Sequence, residues 1–259
     1  MARPPNNVLI TGASSGLGDA LARACAAPGV VLHLSGRNPA RMEATALSCR
    51  QLGARVLPQV IDVRDPRAMA DWIGGAGRLD LVIANAGIGR GTGDATEPAA
   101  AARDVFDTNL TGVLNTALPA LDAMAAQSPA EDGWRGHVAV IASIAAFVAG
   151  PSAPAYCASK SAIQRWAEAR DATERARGIR MHAVCPGFIH TPMTEANPFP
   201  MPWIMTPDEA ARRALDGIAA GKLRIAYPRR LYALARVVGA LPPEWRAVVM
   251  RQAPPKPQS

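Results

Sequence analysis

Through the first 190 residues, short apolar or β-branched runs alternate with longer amphipathic stretches, and this alternation predicts strands and helices in turn. The strands are expected at 8–11, 30–35, 55–61, 79–84, 138–142, 180–184 and 224–227. Runs such as Val30-Val31-Leu32 and Leu81-Val82-Ile83 are apolar at every position, as befits strands covered on both faces. The helices are expected at 17–27, 39–52, 67–73, 99–127 with room for an internal break, 156–177 and 207–220. The polar stretch 127–136, with Pro129 and Gly133, predicts a surface loop before the fifth strand. Alternation of this kind specifies βαβ units, and therefore an α/β fold: a doubly wound parallel sheet of about seven strands with helices on both faces.

Two segments break the pattern. In 188–207, Pro192, Pro198, Pro200, Pro202 and Pro207 are interleaved with Met193, Phe199, Met201, Trp203 and Met205. So many prolines exclude a helix, and the segment is a candidate substrate lid. Its methionine and aromatic side chains suit an apolar or aromatic substrate, and equally suit ordinary core packing. The second segment, 228–259, is a basic extension with a helix candidate at 229–241, a short stretch around Trp245, and a polar, proline-rich end at 253–259 that reads as disordered.

Charge sharpens this picture. The net charge is +7, yet from residue 211 onward ten lysines and arginines face two acids, Asp216 and Glu244, so the rest of the chain is nearly neutral. The excess belongs to the tail, which can dock on a subunit, cover the cleft or lie on an anionic membrane surface; no nucleic-acid partner is expected. A length of 259 residues suits one domain, 1–259, and 49% hydrophobic with 19% charged residues indicates a real core. No run approaches the roughly 20 apolar residues of a spanning helix, and residues 1–7 carry no apolar signal core, so a cytoplasmic protein is expected. Cys25, Cys49, Cys157 and Cys185 are scattered and read as reduced thiols. His33, His137, His182 and His190 are equally dispersed, with no metal-ligand spacing.

Candidate chemistry begins after the first strand. Thr11-Gly12-Ala13-Ser14-Ser15-Gly16-Leu17-Gly18 opens directly into a helix, the setting of a phosphate cradle: Gly12 for the tight turn, Gly16 for close approach of backbone to pyrophosphate, Gly18 for helix packing. The second strand ends in Ser35-Gly36-Arg37, where an NAD-selective site would place an acid; Arg37 instead suits a 2′-phosphate, or is a solvated arginine before a helix. Asp62-Val63 and Asn85-Ala86-Gly87 follow the third and fourth strands, at the strand ends where open α/β sheets bind ligands; Asp62 alone is equally a turn or capping aspartate.

Ser143 follows the fifth strand, and thirteen residues later Tyr156 and Lys160 stand four apart on one helix face. A nearby ammonium is expected to lower the pKa of a tyrosine and make it a usable proton donor, with Ser143 as a second donor to the same oxygen.

In combination these residues resemble the short-chain dehydrogenase/reductase family across 8–191, and the resemblance implies a Rossmann-like fold. It implies a catalytic group of Asn109, Ser143, Tyr156 and Lys160: Tyr156 as general acid in reduction, Ser143 orienting the carbonyl, Lys160 on the nicotinamide ribose, Asn109 positioning a water. The cofactor residues it implies are Thr11, Gly12, Ser14, Ser15, Gly16, Leu17 and Gly18, then Arg37, Asp62, Val63, Asn85, Ala86 and Gly87, with Tyr156 and Lys160. Pro186, Gly187, Ile189 and Thr191 complete that set as the nicotinamide-side loop. NADP(H) is the preferred cofactor on this reading, with NAD(H) second. The partner is a small carbonyl or alcohol substrate, in a homodimer or homotetramer joined through the helices at 99–127 and 156–177. The competing class is a dinucleotide-binding sensor or scaffold on the same fold.

Overall fold

The computed structural model describes residues 5–93, 95–195, 197 and 199–251. The disorder expected at 253–259, Pro198 of the lid candidate and most of the signal-free start therefore lie outside the described residues.

Seven parallel strands form one sheet in the order β3-β2-β1-β4-β5-β6-β7. They are β1 (Asn7–Thr11), β2 (Val31–Gly36), β3 (Arg55–Val60), β4 (Leu81–Ala84), β5 (Gly136–Ile141), β6 (Ile179–Pro186) and β7 (Arg224–Tyr227). Side chains alternate across the sheet, so Val8 and Ile10 of β1 enter one core and Leu9 the other. The first core is closed by α1 (Gly16–Cys25), α2 (Pro39–Gln51) and α8 (Pro207–Ala219), through residues such as Leu21, Met42 and Ile218. The second is closed by α3 (Pro66–Gly74), α5 (Gly112–Ala126) and α6 (Pro154–Glu174), through Met69, Leu121 and Ile163. Four of these helices, α2, α3, α6 and α8, begin at a proline, where the missing N–H has no intrahelical partner to lose, and α2, α3 and α8 do so behind the side-chain caps Asn38, Asp65 and Thr206.

The expected helix at 99–127 does break, into α4 (Ala99–Phe106), a π-helical turn (Asp107–Thr111) and α5. The segment 188–207 corrects the helix-free expectation: α7 (Pro192–Glu195) forms one turn with proline at its start, where it is tolerated. Ile189 and Met205 form a parallel bridge, with Met205 N–H donating to the Phe188 carbonyl at 3.0 Å, so the two ends of the segment are tied together. The tail forms α9 (Arg229–Ala240) and α10 (Pro243–Arg251).

Two of the dispersed histidines meet across β5 and β6. His182 Nδ1 donates to the Lys222 carbonyl at 2.7 Å, which leaves its Nε2 to accept from His137 Nδ1 at 3.0 Å. His137 Nε2 is then a buried lone pair without a partner, and no group of metal-ligand type is found among the described residues. Burial first, and the neighbouring ring second, hold His137 down at about 3; burial holds His182 down at about 4 despite the Lys222 bond. Both are neutral when folded, whereas an unfolded histidine protonates near pH 6.5. Their contribution to stability is therefore complete above about pH 6.5 and is lost as pH falls toward the folded values. Denaturant unfolding should show a stability about 3 kcal/mol lower at pH 5.5 than at pH 7.5. Equal stability at the two pH values would rule out the neutral pair.

Candidate active site

Between β1 and β4 the strand order reverses, so the connections diverge and leave a crevice at the strand C-terminal ends. There a cleft of about 370 Å³ gathers Gly12, Ser14, Ser15, Gly16, Leu17 and Gly18 with Arg37, Asp62, Val63, Asn85, Ala86 and Gly87. The phosphate-type turn is fixed from two sides. Thr11 Oγ1 accepts from the Asn85 and Ala86 N–H groups at 3.1 and 3.2 Å, and Asn85 Nδ2 donates to the Thr11 and Gly12 carbonyls at 3.0 Å each. Thr11, 1% exposed, is thus a brace behind the turn, not part of the cleft wall. Gly12 takes φ +66°, a left-handed conformation that other residues rarely adopt. A Cβ at Gly18 would overlap the Gly12 carbonyl oxygen and lie 2.5 Å from Asn85 Nδ2. Ser15 caps α1 in extended conformation with no side-chain bond to the helix, so first-turn N–H groups face the cleft as donors to an anion.

At the far rim Arg37 and Arg41 are both exposed, with Asn38 between them capping α2 through a 3.0 Å bond from Arg41 N–H. Arg41 was not anticipated; its place one helical turn beyond Arg37 was the available signal. Gly36, where an acid would select NAD, is closed in: a Cβ there would lie 2.7 Å from Met42 Sδ and 3.0 Å from Ser14 Oγ. Asp62 accepts from its own turn, at Arg64 N–H, and lines the cleft, but its carboxylate is also gripped by the Arg64 guanidinium at 2.6–3.1 Å, which holds its pKa below the usual range.

At the other end of the cleft, Ser143 leaves β5 in extended conformation; its Oγ accepts from Ala145 N–H at 3.0 Å and hydrogen-bonds Tyr156. Helix α6 starts at Pro154, which places Tyr156 in its first turn and Lys160 in the next. Lys160, 4% exposed, donates from Nζ to the Ile141 carbonyl at 2.7 Å and lies 5.8 Å from the Tyr156 ring centroid. This corrects the expected electrostatics. Burial pushes the Tyr156 hydroxyl up, the Ser143 bond pulling the other way, while burial brings Lys160 down to about 8. For Tyr156 burial outweighs the Ser143 bond, so the net direction is upward.

Asn109, in the π turn and fully buried, accepts from Ile88 N–H at 2.7 Å and donates to the Ile88 carbonyl at 2.8 Å and to Ser159 Oγ at 3.3 Å. It stands behind Gly87, where an added Cβ would lie 3.2 Å from Asn109 Oδ1 and 3.3 Å from Lys160 Nζ. Pro186, Gly187, Ile189 and Thr191 line the cleft as anticipated, and Thr191 reaches the phosphate turn at Gly16. Met193 and Thr194 line it from the lid candidate 188–207, and Ile88 and Thr108 line it without any sequence pattern that would have marked them.

The short chain dehydrogenase family model matches residues 6–199. An uncharacterized oxidoreductase of Myxococcus xanthus (strain DK1622) is 34% identical over 238 residues, covering 90% of this chain and 92% of that protein. Among solved structures, levodione reductase is 26% identical with a TM-score of 0.77, over 88% of this chain and 98% of that one. An actinorhodin polyketide ketoreductase variant solved with NADPH is 25% identical with a TM-score of 0.76, over 90% and 99%.

Proposed function

The chain belongs to the short-chain dehydrogenase family of NAD(P)-dependent dehydrogenases and reductases, and from that premise we propose an NADP(H)-preferring enzyme that moves a hydride between nicotinamide and a carbonyl or alcohol carbon, with Tyr156 as general acid and base. The observation that carries this reading is the convergence of Ser143, Tyr156 and Lys160 on the same cleft as the glycine turn. The residues fit the dinucleotide: no side chain fills the turn at Gly12, Gly16 and Gly18, α1 offers N–H groups to a pyrophosphate, and Arg37 with Arg41 offers cations to a 2′-phosphate. The nicotinamide, when bound, supplies or accepts the hydride.

In this scheme Ser143 and Tyr156 donate to one substrate oxygen, so that its growing negative charge meets two hydrogen bonds, and Tyr156 passes its proton to that oxygen. Lys160 and Asn109, close behind Gly87, hold the ribose and a water that returns the proton to Tyr156. The segment 188–207 closes the site through Met193 and Thr194, which line the cleft and favour an apolar or aromatic carbonyl compound. Residues 1–259 act as one domain, and copies assemble through α4, α5 and α6, where Phe106 and Leu118 leave 37% and 40% of their surface exposed.

A charge-assisted hydrogen bond contributes about 1.5 to 3 kcal/mol, so Arg37 should favour NADPH over NADH by about 10 to 150-fold, toward the lower end because the site is solvated. The measurement is NADPH consumption across ketones, aldehydes, quinones, acyl thioesters and keto sugars, then kcat/KM for both cofactors on an accepted substrate. Arg37→Ala should shrink the preference and Arg37→Ala with Arg41→Ala remove it. NADPH bound without turnover on the whole panel supports the sensor class; a wild-type preference for NADH overturns the cofactor assignment.

A further inference from the structure

The inner face of α9 is committed. Ala235 is buried, Leu231 lies against Gly187 at the cleft wall, and Gly239 is pressed so close to the Phe147 carbonyl that a Cβ would overlap it. Helix α10 is held to α9 by Arg246, which donates to the Gly239 carbonyl at 3.3 Å. The outer face is apolar and uncovered: Leu234 and Val237 on α9 are 52% and 64% exposed, and Trp245, Val248 and Val249 on α10 are 71%, 59% and 42% exposed. Each set has the helical spacing of a single stripe. Around it stand exposed Arg229, Arg230, Arg236 and Arg251, against Glu244 as the one acid in 229–251.

We propose that α9 and α10 dock the protein on an anionic lipid surface. Large apolar side chains beside a rim of arginines match the membrane interface in both layers, the acyl boundary for Trp245, Leu234 and the valines, and acidic headgroups for the guanidinium groups on their apolar stems. A second copy fits poorly, because a two-fold contact would set this basic face against itself. No helix of the described residues is long and apolar enough to cross a membrane, so the contact is one of lying on the surface. Leu231 puts the other side of the same helix at the cleft wall, which brings the cleft near the lipid.

The test is sedimentation of the full chain with vesicles of phosphatidylcholine alone and of phosphatidylcholine mixed with phosphatidylglycerol, with NADPH binding followed separately by fluorescence. Binding to the acidic vesicles should be at least roughly tenfold stronger than to the neutral ones and should be lost at high salt. Trp245→Glu with Val248→Glu, and Arg229→Glu with Arg230→Glu, should each weaken it at least roughly tenfold while NADPH binding is unchanged. The second pair places acids in the first turn of α9, where they favour the helix, so lost binding would not reflect unfolding. No sedimentation at low salt, equal sedimentation with both vesicles, or indifference to Trp245→Glu with Val248→Glu overturns the proposal. So does vesicle-free, concentration-dependent self-association that these variants abolish, which would make the face a contact between copies.

Discussion

Tyr156→Phe is expected to lower kcat by roughly 10³-fold, since a positioned general acid contributes about 10² to 10⁴. The change deletes one oxygen and keeps the ring, so the packing of α6 against the cleft is preserved and NADPH affinity should stay within about threefold of wild type. The raised pKa of Tyr156 has a definite sign here: the hydroxyl stays protonated through neutral pH, the form needed to donate to a substrate oxygen during reduction. Burial brings Lys160 down to about 8, so loss of its proton is expected to contribute a limb to the pH profile near that value. Stopped-flow turnover with fluorescence titration of NADPH separates the two effects. Activity within about tenfold of wild type would remove Tyr156 from the proton path.

Gly18→Ala is expected to abolish measurable NADPH binding. The added methyl group would occupy the space of the Gly12 carbonyl oxygen and crowd Asn85 Nδ2, and neither neighbour is a flexible chain end. The Gly12 carbonyl is itself held by Asn85 Nδ2, which also holds Thr11, so relief requires the brace between β1 and β4 to open. Strain of this kind in a packed site typically costs about 1 to 3 kcal/mol or more, which should also lower the unfolding midpoint. Titration calorimetry and thermal unfolding on one preparation test both parts. Gly18→Ala that binds NADPH within about tenfold of wild type would mean that the turn is not the dinucleotide cradle.

How far the sequence reaches depends on the range of the interaction involved. Strand and helix positions follow from the period of the apolar residues, which each segment carries in itself; even β7, with only four residues, stands at 224–227 as expected. The glycine turn was legible because Gly12 and Gly18 are required by backbone shape, and Tyr156 and Lys160 because helical spacing of four aligns them whatever surrounds them. The π turn was visible only as room for a break, since the bonds that hold Asn109 come from Ile88, 21 residues away.

The rest was settled by partners distant in the chain. Thr11 became a brace because Asn85, 74 residues on, arrives beside it in the sheet. Four scattered histidines gave no pairing signal, yet neighbouring strands bring His137 and His182 to 3.0 Å. Charge states belong to the same class: spacing puts Lys160 beside Tyr156, but burial is the largest influence on both groups and sets their directions, up for the tyrosine and down for the lysine. Sequence alone thus determined the strands, the helices and the residue types at the site, because backbone preference and periodicity are local. Tertiary structure decided which of those residues touch, which are dry and which are charged, because desolvation and hydrogen-bond partners exist only once the sheet has brought its strands together.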